Sequence, residues 1–220
     1  MEIDAVRLNL GSADYGDRLK AIAALRDYPP AVALPMLIKH IQDAEFLVRT
    51  FVARELGYQK TADAFAGLLE MMMFDNTPNV RAEAANSLSL FGKASASHLI
   101  QTFIKDDHWL VRRSILAALV EMECSETLLE ACLIGLDGDD HPVQEAAVDA
   151  LGALANSSQD EAALSHLLQL KDSESPRIRS RVAYALKHFD TPVAQAALAE
   201  LRTDKEHIVV GAAMEPLLGE

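Results

Sequence analysis

The strongest constraint on this chain is that it repeats itself. The phrase LVRTFVARELG, centred on Arg49, returns as NVRAEAANSLS around Arg81, LVRRSILAALV around Arg112, PVQEAAVDALG around Gln144 and RIRSRVAYALK around Arg179. Worn copies stand at the two ends: GDRLKAIAALR around Arg18, and IVVGAAMEPLL with Val210 in the same column. Successive markers lie 31, 32, 31, 32, 35 and 31 residues apart. The long step carries its extra residues in the polar stretch Asn156, Ser157, Ser158, Gln159, Asp160, which reads as a loop insertion. A unit this short cannot bury an apolar face alone, so the copies must stack on one another.

Within each copy the apolar residues fall one before the marker and three, six and seven after it, as in Val111, Ile115, Ala118 and Leu119; this is a helix period. Small residues (Ala21, Ala84, Ala147, Ala150, Ala185) recur where neighbouring helices would come close. A second apolar segment precedes each marker helix, as in ALPMLIKHI before Arg49 and ASHLIQTFI before Arg112. The unit is therefore a helical hairpin. Asp43, Asp75, Asp106 and Asp204 each stand six residues before a marker, where a side-chain oxygen is expected to cap the coming helix. Pro78, Pro142 and Pro176 fall in or just ahead of a first turn, where no backbone donor is lost.

A leading helix, a turn aspartate and then Val-Arg-x-x-Ala-x-x-Ala-Leu on the second helix resemble the HEAT repeat family over nearly the whole chain. The resemblance implies an all-α, right-handed α-α superhelical solenoid of about seven hairpins, with the marker helices lining its concave side. No linker or composition shift divides the chain, so one domain spanning residues 1–220 is expected.

Composition limits the partners. Twenty Lys+Arg against 33 Asp+Glu give a net charge of −13, which would repel nucleic acid and anionic membrane surfaces. No apolar run is long enough for a membrane span, and the first residues lack a signal peptide's basic and greasy regions, so a cytoplasmic protein is expected. Cys124 and Cys132 are too few for a disulfide framework or a four-thiolate metal site; they read as small apolar residues.

Ten of the twelve arginines fall on marker helices: Arg18, Arg26, Arg49, Arg54, Arg81, Arg112, Arg113, Arg177, Arg179 and Arg181. Those in the marker column are expected to form a structural ladder with turn aspartates, comprising Asp43, Arg49, Asp75, Arg81, Asp106, Arg112 and Arg179. The others would leave an arginine stripe on an acidic molecule. Helical spacing puts Trp109 and Arg113 on one face with Arg112 beside them, and a row at the fifth residue after the marker holds Arg54, Asn86, Asp149, Tyr184 and Glu215. Arg54, Trp109, Arg112, Arg113, Arg181 and Tyr184 are thus the candidate partner-binding residues, suited to carboxylates or tetrapyrrole propionates.

No catalytic constellation or metal motif emerges. There is no nucleophile elbow and no phosphate-binding glycine loop, and the seven histidines show no H-E-x-x-H spacing. Deoxyhypusine hydroxylase, a HEAT-repeat enzyme, holds di-iron with repeated His-Glu pairs; this chain contains no His-Glu dipeptide. Met71, Met72 and Met73 read as core and groove lining, and His108 as a solvated residue ahead of its helix.

The short unit and phrases such as FLVRTFVARELG and HWLVRRSILAALVEM look like the cyanobacterial branch containing phycobilin lyase subunits of the E/F type and phycobilisome-degradation proteins. The resemblance implies phycobiliprotein subunits and linear tetrapyrroles as partners and a possible hetero-oligomer; no resident cofactor is expected. A protein-interaction scaffold is the first reading. A bilin lyase or chromophore-handling subunit holding a linear tetrapyrrole is the alternative. The third is an accessory to iron-sulfur or tetrapyrrole cofactor assembly that docks on a small cofactor carrier.

Overall fold

The structure, a computed structural model, describes residues 1–215. Among these residues every regular element is a helix, and the helices fall into two compact units, the first Met1–Met122 and the second beginning at Glu123.

Unit 1 holds α1 (Ile3–Leu10), α2 (Tyr15–Ala24) with a 3-10 extension over Leu25–Asp27, α3 (Pro30–Lys39), α4 (Phe46–Gln59), α5 (Ala62–Phe74), α6 (Pro78–Ser89), a 3-10 turn over Gly92–Ser95, α7 (Ala96–Lys105) and α8 (Trp109–Glu121). The marker helices α2, α4, α6 and α8 pack in succession to form one layer, and the leading helices α3, α5 and α7 form the other. Unit 2 repeats the plan with α9 (Ser125–Asp137), α10 (His141–Gly152), α11 (Asp160–Leu170), α12 (Pro176–Leu186), α13 (Pro192–Leu201) and α14 (His207–Met214). Here α10, α12 and α14 make the marker layer, with α11 and α13 adjacent in the other.

The periodic columns are the core. Val48, Val52 and Leu56 on α4, Val80, Ala84 and Leu88 on α6, and Val143, Ala147 and Leu151 on α10 are all fully buried. Burying each large aliphatic side chain favours the fold by roughly 1.5–3 kcal/mol. The small columns set how closely the layers approach. A Cβ on Gly152 would stand 3.0 Å from both Cα and Cβ of Ala185, and one on Gly57 would stand 2.9 Å from Cβ of Ser87. Both glycines lie eight residues after their marker, so the same contact between marker helices recurs in each unit. The inserted loop after α10 turns at Asn156, whose φ of 63° is left-handed, a conformation asparagine tolerates better than most residues.

Arginine ties one hairpin to the next. Arg18 forks onto Asp43 with two bonds of 2.9 Å, Arg49 onto Asp75 at 2.6 and 3.0 Å, Arg81 onto Asp106 at 2.6 and 3.1 Å, and Arg179 onto Asp204 at 2.7 and 2.9 Å. The third guanidinium nitrogen of each donates to the carbonyl six residues earlier, in the turn ahead of its own helix: Ser12, Asp43, Asp75 and Ser173 respectively. Planar, fixed-fork geometry is what makes arginine suited to this double duty.

The aspartates do not cap the marker helices as the spacing suggested. Their Oδ1 atoms accept from the backbone N–H two residues on, at Glu45, Thr77, His108 and Glu206, each of which is itself the N-cap residue. The carboxylate therefore closes the turn, while its remaining lone pairs take the arginine of the preceding hairpin. His108 supplies its own cap, with Nδ1 accepting from the N–H of Leu110 at 3.2 Å.

Candidate functional site

The solvent-facing side of the marker layer decides what becomes of the arginines, because there the helices are not consumed by packing. In unit 1, Arg26 reaches from the end of α2 to α4, forking onto Glu55 at 3.0 and 2.7 Å, with its guanidinium carbon 4.1 Å from the Tyr58 ring centroid. Glu55 is only 1% exposed and sits in a column that holds Ala or Ser in every other copy but the last, and its charge is balanced by Arg26. Arg54 bonds Glu83 of α6 at 2.9 Å and lies 4.9 Å from the Phe51 ring centroid. The hydrogen bond to Glu55 is the main cause of a raised pKa for Arg26, and that to Glu83 has the same effect on Arg54.

In unit 2 the same side is laced similarly. Arg181 bonds Asp149 at 3.1 Å, and Arg177 and Arg181 each stand 3.7 Å from Glu145. The Tyr184 hydroxyl donates to Glu215 at 2.6 Å, which raises the phenol's pKa, and Lys187 donates to the Glu215 carbonyl while lying over the Tyr184 ring. Burial lowers the Lys187 ammonium's pKa.

The expected arginine stripe is therefore not a bare cationic wall. Arg26, Arg54, Arg177 and Arg181 are all within ion-pair distance of a carboxylate, supplied by the following marker helix for Arg26 and Arg54 and by the preceding one for Arg177 and Arg181. The trio on α8 separates as well. A step of one residue turns the helix by about 100°, so Arg112 points inward and lies 4.6 Å from the ring centroid of buried Phe103 on α7. Trp109, 40% exposed, stacks on His108 with centroids 5.9 Å apart, and Arg113 is exposed.

What the marker layer of unit 1 offers is a mixed aromatic and guanidinium surface. Tyr58 and Leu90 are 49% and 42% exposed at the far ends of α4 and α6, and Trp109 and Arg113 stand near the start of α8. Tyr58, Glu55 and Leu90 were not singled out from the sequence, and Arg26 was read only as part of the arginine stripe. The legible signal was Glu55, a charge in a small-residue column six after the marker. Cys132 is fully buried and desolvation pushes its thiol up to about 12, so it stays protonated; Cys124 is half-buried. Among the described residues no group of three His, Cys, Asp or Glu side chains is placed to hold a metal ion, and no helix is long and apolar enough to cross a membrane.

The fold and this surface define a solenoid class protein made of stacked helical hairpins. The family model described as HEAT repeats matches residues 3–89, 34–120, 66–152 and 129–217, its starts advancing by one or two repeat periods. The chain belongs to the HEAT repeat family. Known structures share the fold. The complex of CpcE and CpcF of phycocyanin lyase from Nostoc sp. matches with a TM-score of 0.56 and 21% identity, covering 96% of this chain and 86% of that one. An Escherichia coli protein, YibA, matches with a TM-score of 0.61 and 14% identity over 96% and 91%. Human deoxyhypusine hydroxylase matches with a TM-score of 0.50 and 18% identity over 96% and 93%. No curated protein sequence matches this chain significantly.

Proposed function

We propose that this protein is an interaction scaffold that recognises a protein client through the marker-helix face of unit 1. The observation that carries the reading is the exposure there of Tyr58, Trp109 and Arg113, the residue types that dominate binding energy at interfaces, on helices whose other faces are spent in packing. With Arg26 and Arg54 already paired, affinity for the client rests on aromatic burial and one unspent guanidinium more than on net charge. Of the six residues picked from the sequence, Trp109, Arg113 and the edge of Arg54 serve this face. Arg112 belongs to the packing against α7, and Arg181 and Tyr184 to the pairs of unit 2.

The likeness to a phycocyanin lyase complex supports a phycobiliprotein subunit as the first client to test, and a hetero-oligomer as the form in which the protein acts. The test is biolayer interferometry with immobilised apo-phycocyanin subunits. Trp109→Ala combined with Arg113→Glu is expected to weaken binding by more than about tenfold, with the thermal melt unchanged and only a shallow dependence on salt. Equal binding by wild type and variant would remove this face as the contact. Arg54→Glu is unsuitable as a probe because it would set a second carboxylate against Glu83.

A chromophore-handling subunit is the second reading, supported by the same likeness, with Arg113 pairing a propionate and Trp109 covering a pyrrole ring. Mixing the protein with phycocyanobilin should then change the pigment's absorbance; an unchanged spectrum together with no transfer to the apo-subunit rejects it.

A further inference from the structure

Unit 1 carries a second exposed surface, on the edge where leading helices run into turns. Ile41, Met73, Phe74 and Ile104 occupy the positions one or two residues ahead of the turn aspartates Asp43, Asp75 and Asp106. Phe74 is 74% exposed, Ile104 56% and Met73 50%. The repeat itself does not demand this. The matching positions in unit 2 hold Leu136 and Asp137, Lys171 and Asp172, and Arg202 and Thr203. Three apolar side chains at least half in solvent, where unit 2 holds charged residues at four of its six matching positions, mark a surface kept apolar for contact.

Phe74 walls two neighbouring grooves. One, of about 450 Å³, lies beside Ile41, Glu70 and Met71; the other, of about 630 Å³, lies beside Leu69, Met72, Met73 and Thr102. The ladder pairs Arg49–Asp75 and Arg81–Asp106 also line them, but their charges are spent on each other. The corresponding groove of unit 2, of about 700 Å³, is lined instead by Lys171, Asp172, Glu174, Glu200 and Lys205.

We propose that this edge docks an amphipathic, basic helix of a partner protein, with two apolar anchors seated on either side of Phe74. Adjacent packed helices lie about 8–10 Å apart, so consecutive grooves recur at nearly that interval. Residues seven apart on a docking helix are separated by about 10.5 Å and project from one face, which matches the interval. Methionine thioethers lining the second groove adapt to varied apolar anchors. Exposed Glu70 borders the first groove and exposed Asp107 the second, against a single lysine, Lys105, and His98. The net charge of −13 favours a basic partner over a second copy of this acidic chain.

The test is a fluorescence-anisotropy titration with a labelled alanine–lysine helical peptide bearing leucines seven residues apart. Wild-type protein is expected to bind it saturably, and Phe74→Ser to weaken binding at least about tenfold without any change of charge. Val193→Ser, at an exposed apolar position of unit 2, should bind like wild type. A circular dichroism spectrum shared by all three proteins ties the loss to the groove. Absence of binding by the wild type, equal affinity for Phe74→Ser, or equal affinity for a peptide with glutamates replacing its lysines would each overturn the proposal. So would sedimentation showing a dimer that Phe74→Ser dissolves, which would assign the edge to a second copy.

Discussion

The two units are built from the same hairpin but are tied together differently. In unit 1 three consecutive ladder pairs, Arg18–Asp43, Arg49–Asp75 and Arg81–Asp106, join each hairpin to the next. Among the described residues of unit 2, Arg179–Asp204 alone has that form. There the marker before it is Gln144, whose amide donates to the carbonyls of Gly138 and Leu136 in its own turn, and the aspartate position of the following turn is Ser173. Glutamine thus keeps the bond within the hairpin and gives up the bond between hairpins. The difference teaches that the marker does two separable jobs, closing its own turn and reaching the next one, and that the hairpin of α9 and α10 keeps the first without the second.

Substitutions at equivalent positions separate these jobs most sharply. Arg49→Ala is expected to cost about 3–5 kcal/mol, because it strands the Asp75 carboxylate in a largely buried site and orphans the Asp43 carbonyl. Gln144→Ala should cost only about 1 kcal/mol, the worth of neutral hydrogen bonds. Urea denaturation of both variants measures the gap, and similar losses would mean that the ladder's ion pairs add little to what the turn bonds already supply.

The next largest effect concerns the close contact that the units share. Gly152→Ala places a methyl group against the Cα of Ala185, which is backbone and cannot move aside, so overpacking of about 1–3 kcal/mol should prevail over the gain in helix propensity. At Gly57 the nearest atom is Cβ of Ser87 at 2.9 Å, which its backbone fixes, so rotating Leu90 relieves only part of the clash and Gly57→Ala should cost about as much as Gly152→Ala. Thermal melts compare them, and a markedly smaller loss at either position would show that its marker layer yields.

The smallest effect is set by pH. For Asp204 the hydrogen bond from Arg179 is the largest influence and lowers its pKa below the ordinary carboxylate value. For Asp43 desolvation is the largest influence and acts upward, but the bonds from Arg18 and the Glu45 N–H and the nearby positive charge act against it, and the net shift is also downward. A carboxyl group whose pKa is lower in the folded state adds stability that is complete above its unfolded value of about 3.9 and is lost as the pH falls through the folded value. The urea midpoint should thus hold from pH 7 to 5 and fall below about pH 4. Asp43→Asn and Asp204→Asn should each show a shallower fall than wild type, and an identical slope would remove these two groups as its source.

Much of the fold could be read directly from the chain. The apolar columns around Val111, Ile115 and Leu119 are buried as their period requires, and the insertion at Asn156 is a loop. The candidate surface was less legible. Arg54, Arg181 and Tyr184 stood out as polar groups at exposed helical positions, yet each is joined to an acidic residue on, or just past the end of, a neighbouring marker helix: Glu83, Asp149 and Glu215. Arg112 was expected both in the ladder column and beside Arg113 on the binding face, and the helix turns it onto Phe103. Phe74 was invisible as a surface residue because one repeat read alone does not reveal that its neighbours leave it in solvent.

Periodicity along the chain determined that the protein is a stack of helical hairpins, where each hairpin begins, and which side chains form the interior, since these follow from the local geometry of the helix. Which charges are available to a partner was decided only by tertiary structure. Arg18, Arg54 and Arg181 each meet an acid some 25 to 32 residues away, across a gap that no local pattern records, and whether that carboxylate lies within 3 or 10 Å turns on the packing of adjacent hairpins.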